Sequence, residues 1–182
     1  PAPDPALVLV TSQYHYARAV AYASKKDAAG AKKEIAALAS LEKTADFKPF
    51  GEWSIPAKEI VQTARLVAEG RLADSQGNLD GAAKAYEDAV FIEDTLSYME
   101  PPYWYYPIRQ SLAAVLLEAG KPDAAATEFQ TSLMDTPNNA YALWGLQQAL
   151  AKAGDQAGSA AAGQRFKASW AGGDTEPKLA DL

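Results

Sequence analysis

Three glycines constrain this chain more than any other feature. Gly77, Gly120 and Gly154 each stand where one helix-periodic apolar run stops and another begins. Such a residue is what a left-handed helix end requires. In the clearest copy, Gly120 is followed by Pro122-Asp123, which opens a helix, and then by Ala125, Phe129 and Ser132 before Pro137. The copy before it carries Gly77-Asn78 and then Ala82, Tyr86 and Ala89. A small residue followed four positions later by a ring marks one helical face. A hairpin this short cannot bury its own apolar face, so the pattern predicts hairpins stacked on neighbours.

Four copies can be placed, near residues 12–45, 63–96, 106–139 and 140–173. In the earliest, Lys26-Asp27 stands where the others have glycine, followed by Ala31, Ile35 and Leu38. In the last, Leu143, Leu146 and Leu150 mark the first helix and Ala160 to Phe166 the second. Gly120 and Gly154 lie 34 residues apart, whereas the earlier turns are more widely spaced. The excess maps to insertions near 46–62 and 97–105, both rich in aromatics and prolines. A polar tail is expected over 172–182, with Phe166 and Trp170 closing the last copy. The expected fold is all-α, a single domain of about four helix pairs in series.

Composition narrows function mainly by exclusion. Seventeen basic residues against 23 acidic ones give a net charge of −6, with no basic run longer than two, which argues against nucleic acid. There is no cysteine and a single histidine, His15, so no metal or cofactor is expected. His15 reads as a satisfied core or interface side chain. No apolar stretch approaches the roughly 20 residues that span a bilayer. The apolar start at Leu7 to Val10 has no polar cap before it, which predicts self-association through the first helix.

The residues Leu112-Ala113-x2-Leu116, Ala125-x3-Phe129 and Pro137, with Gly70-x2-Ala73 and Ala82-x3-Tyr86, resemble the tetratricopeptide repeat. The resemblance runs from about Ser12 to about Trp170 and implies a right-handed α-α superhelix that binds on its concave face. The segment Met99 to Leu112 is similar to part of larger bacterial repeat proteins, many of them exported. This implies the C-terminal part of a longer array in a periplasmic or exported protein.

On that reading the first helix of each pair lines a groove for a protein or peptide segment. Candidate contacts are Arg71, Gln110, Tyr141, Trp144 and Gln148, with Trp144 the expected exposed anchor. The positions where some relatives clamp a carboxylate hold Tyr16, Val20, Val67, Arg71, Gln110 and Ala114, and only Arg71 has suitable charge. A second reading builds a small-molecule pocket from Trp53, Tyr103, Trp104 and Tyr105 in the two insertions, against the plainer view that these rings plug a wedge. A third makes the chain a carboxylate-dependent hydrolase through Glu87, Asp88, Glu93 and Asp94. Arg109 is expected to reach Glu100 or a ligand carboxylate, with a structural ion pair the plainer reading.

Overall fold

The computed structural model describes residues 2–182; Pro1 lies outside the described residues. Among the described residues there are nine α-helices, a terminal 3-10 turn at Leu179–Asp181, and no strand. The helices are α1 (Val8–Ser24), α2 (Ala28–Thr44), the short α3 (Lys48–Gly51), α4 (Ala57–Ser75), α5 (Leu79–Thr95), α6 (Ile108–Glu118), α7 (Pro122–Asp135), α8 (Ala140–Ala153) and α9 (Gln156–Ser169). The chain divides into two compact units, one ending at Tyr106 and the other starting at Pro107.

All four hairpin turns are built alike. Gly77, Gly120 and Gly154 adopt positive φ angles of 73°, 71° and 90°, and Lys26 takes the same role at 60°. The next residue donates its N–H to a carbonyl five positions back. The pairs are Asp27 to Tyr22, Asn78 to Ala73, Lys121 to Leu116 and Asp155 to Leu150, each 2.9 Å. These bonds satisfy carbonyls that a helix end leaves open. In three turns the same residue caps the following helix: Asp27, Asn78 and Asp155 accept from the N–H groups of Gly30, Gly81 and Gly158.

Helix boundaries differ from the expected repeat bounds at three places. The first helix begins at Val8 rather than near Ser12, and α9 starts at Gln156, directly after its cap. The first insertion shrinks to the stretch between α2 and α4, because Pro56 precedes a helix starting at Ala57. That stretch carries α3.

Each unit contains two hairpins. In the first, α1 packs on α2 and α4 on α5, and α4 also lies against both α1 and α2. In the second, α6 packs on α7 and α8 on α9, and α8 also meets α7 and α6. The ring positions read from sequence form the core. Tyr86 is fully buried against Gly70, where a Cβ would lie 2.8 Å from the ring. Phe129 is fully buried against Gly145, where a Cβ would sit 2.2 Å from Cζ. In the last hairpin the sizes are exchanged: Gly163 faces the amide of Gln147, so one slot is filled from the opposite helix.

Candidate functional site

Within the second unit the expected groove residues separate into two groups. Trp144 is only 9% exposed, which corrects its reading as an open anchor. α8 touches α6, α7 and α9, so a ring in its middle turns is drawn into the packing. Gln110 is also buried. Its side-chain oxygen accepts from Asn139 Nδ2 at 3.0 Å, while Asn139 Oδ1 caps α8 at the Ala142 N–H. Gln110 therefore braces the start of α8 rather than facing a ligand. Tyr141 is exposed, its ring edge-on to Trp170 at 5.5 Å, and Gln148 is half-buried. Phe166 and Trp170 lie ring against ring at the same end, with centroids 5.5 Å apart.

Past α9 the polar tail does more than its composition suggests. At Gly172 the backbone presses on the Trp170 indole, where a Cβ would meet Cζ2 at 2.1 Å, and Gly173 has a φ of 64°. The 3-10 turn then packs on α6. Leu182 is 1% exposed, and Ser111 Oγ donates to its main-chain oxygen at 2.6 Å. Pro177 is buried as well. Ser111 sits in the apolar run of α6, where a buried hydroxyl needs a partner. Its only signal in the sequence was one polar residue among Ile108, Leu112, Val115 and Leu116. The only signal in the tail was a pair of leucines, Leu179 and Leu182, following Pro177.

In the first unit, Arg71 projects from α4, half-buried, and hydrogen-bonds to Tyr106, with the Tyr16 and Tyr86 phenols close by. Burial lowers the tendency of this guanidinium to stay charged, but the phenols outweigh it and hold its pKa above the usual arginine value. Tyr16 is bonded through its hydroxyl to Tyr105 at 2.8 Å and is edge-on to Trp104 at 5.0 Å. Burial first, then the neighbouring Tyr106 and Tyr105, push the Tyr16 phenol well above the ordinary tyrosine range. Burial likewise raises Tyr86, although Arg71 pulls the other way. The hydroxyl of Tyr86 and the indole N–H of Trp104 are buried without a hydrogen-bond partner.

The four pocket candidates do not surround one cavity. Trp104 is buried against Tyr16 as a plug, whereas Trp53 is 80% exposed and Tyr105 is 70% exposed. A cleft of about 330 Å³ does lie between the two insertions, lined by residues including Ser54, Glu59, Leu96 and Tyr103. Tyr103 reaches the Ser54 carbonyl at 3.4 Å, and it is the only one of the four on that cleft.

The acidic candidates lie on a surface helix. Glu87 and Asp94 are exposed, and Asp88 pairs with Lys84 one turn earlier. The buried carboxylate is elsewhere: Glu34, on α2, accepts from His15 Nδ1 at 2.6 Å and Arg18 Nε at 2.7 Å. Burial alone would raise its pKa, but the hydrogen bonds from His15 and Arg18 outweigh burial and hold it below the ordinary carboxylate value. Arg18 also lies over the rings of Tyr14 and Tyr22. His15 is thus a satisfied structural residue in the α1–α2 hairpin. Arg109 pairs with Glu128 at 2.7 Å, tying α6 to α7, whereas Glu100 takes its hydrogen bond from Tyr98.

No family model, curated protein or solved structure matches the chain.

Proposed function

We propose that this chain is a non-catalytic, tetratricopeptide-like module that binds an extended protein or peptide segment on the face formed, within a unit, by the first helices of its two hairpins. The observation that carries the reading is the seat on α6. There the 3-10 turn Leu179–Asp181 packs, and Leu182 is buried with its main-chain oxygen accepting from the Ser111 hydroxyl. A face that satisfies a backbone acceptor and takes an apolar side chain has both elements of peptide recognition. Similar first-helix faces exist in each unit, since α1 neighbours α4 and α6 neighbours α8. Tyr141 and Gln148 at the rim of α8 are the groove contacts in the second unit, and Arg71 on α4 is the contact in the first.

The test is a titration of the isotopically labelled full chain with peptides selected from a random library. Amide shifts gathered on α6 and α8 of the second unit, and a severalfold loss of affinity in Gln148→Ala with unchanged melting, are the expected results. Shifts confined to the cleft beside Tyr103 would transfer the function to a small molecule held between the insertions.

A further inference from the structure

The two insertions of the first unit meet at the cleft of about 330 Å³. The approach to α4 lines it with Ser54, Ile55 and Glu59, and the exit from α5 with Leu96, Ser97 and Tyr103. Its volume stands near the lower end of the roughly 300–1,000 Å³ typical of ligand sites, which suits a small molecule. One wall is fixed by the backbone. Ser54 takes a φ of 55°, and Ile55 donates its N–H to the Phe50 carbonyl at 3.0 Å. This is the bond pattern of the hairpin tips, here closing α3. A serine in the left-handed region is unfavourable by itself. These bonds, with that from the Tyr103 hydroxyl to the Ser54 carbonyl at 3.4 Å, hold it there.

One carboxylate sets the chemistry of the cleft. Glu59 is half-buried in the first turn of α4, and among the described residues its side chain has neither an ion pair nor a hydrogen bond. Glu34, Glu42, Glu69 and Glu128 are likewise withdrawn from solvent, and each of them pairs with an arginine. A carboxylate taken partly out of water without a counter-charge is unfavourable, and a bound cation relieves it. The N-terminus of α4 and the C-terminus of α5 both reach the cleft. They carry roughly half a charge each, of opposite sign, and offset one another. Glu59 therefore decides the sign. The surroundings agree with it: residues 46–62 and 93–105 hold six acids and two lysines, and neither lysine lines the cleft. Tyr103 adds a ring, whose face attracts a cation.

We propose that this cleft binds a small organic cation, an ammonium ion whose charge is met by Glu59 and whose alkyl groups lie against Tyr103, Ile55 and Leu96. The site stands apart from the peptide-binding reading, whose expected signals lie on α6 and α8 of the other unit, so either can fail alone.

The test is a titration of the isotopically labelled full chain with choline chloride at constant ionic strength, followed through amide shifts. Saturable shifts at Ser54, Ile55, Glu59, Leu96 and Ser97 are expected, and none from the uncharged carbon isostere of choline. Glu59→Gln keeps the shape of the side chain, and should bind choline about tenfold more weakly with its melting little changed. Tyr103→Phe should bind as the parent does, and Tyr103→Leu about threefold more weakly.

No saturable shift from either choline or butylammonium would overturn the proposal. So would equal binding of the isostere, or unaltered affinity in Glu59→Gln. Stronger shifts from butyrate would also overturn it, and assign the cleft to an anion at the start of α4. A peptide with a single lysine that binds far more tightly than butylammonium would overturn the free small molecule and make the ammonium a protein side chain.

Discussion

The two units use the same hairpin turn but join their hairpins differently. In the first unit, α4 packs more extensively on α1 than on α2, and the connection from α2 is long enough to carry α3. The junction joins a small apolar cluster of Ala23, Ala31 and Leu72, flanked by Ile35, to a charged tie in which Arg65 reaches Glu42 at 2.6 Å and Glu69 at 2.9 Å. In the second unit, α8 packs far more on α7 than on α6, across a connection of only Thr136 to Asn139, and a ring against a glycine closes the seam. Turn chemistry and stacking chemistry are therefore separable. A conserved geometry at the hairpin tip does not dictate how the next hairpin is held. A short connection forces close helix approach, which glycine permits; a longer one lets polar groups share the work.

The comparison is broken most directly at the ring. Phe129→Ala should destabilise the second unit by about 3–5 kcal/mol, as expected for deleting a fully buried phenylalanine. Its counterpart four residues after Ala31 is Ile35, which is only partly buried, so Ile35→Ala should cost the first unit about 1–2 kcal/mol. Native-state hydrogen exchange, read separately on α8 and α4 amides, measures both. Equal losses would show that the two seams are energetically alike despite their different composition.

A smaller effect is expected at Glu34, the buried acid of the first unit. Glu34→Gln removes two charge-assisted hydrogen bonds and should cost about 1.5–3 kcal/mol at neutral pH. The pH dependence has a defined sign. Because the folded-state pKa of Glu34 is lowered, its contribution is fully present above the ordinary carboxylate range and is lost as the pH falls from there through the lowered folded value. Urea unfolding between pH 7 and pH 3 should therefore show a steep loss in the parent and a shallower one in Glu34→Gln. An identical slope in both proteins would remove Glu34 from the acid response.

The smallest effects should be equal in both units. Asp27→Ala and Asp155→Ala each remove one helix cap and should cost about 1 kcal/mol. Thermal melts that separate the two substitutions by much more than this would show that the turns, alike in geometry, are unlike in energy.

Much of the local structure was legible in the chain. The turn positions and the buried Tyr86 and Phe129 follow from spacing and residue type, whereas the capping roles of Asp27, Asn78 and Asp155 came from the structure. Lys26 was legible only by analogy, because a lysine with positive φ has no signature of its own. Trp144, Gln110 and the rings of 103–106 were harder. A large aromatic is as apt for a groove wall as for a seam, and helical periodicity does not say how many neighbours a helix will have. The tail was least legible, since a composition dominated by polar residues concealed two buried positions.

The sequence by itself determined the hairpins, because helix periodicity, glycine at a left-handed position and a capping side chain act within a few residues of one another. Only the tertiary structure decided which faces are covered: Trp144 drawn into a three-sided helix, Glu34 buried between His15 and Arg18, and Leu182 seated beside Ser111, 71 residues away in the chain. Burial is a property of what comes to lie against a residue, and those neighbours are brought there by packing between elements whose separation no local pattern encodes.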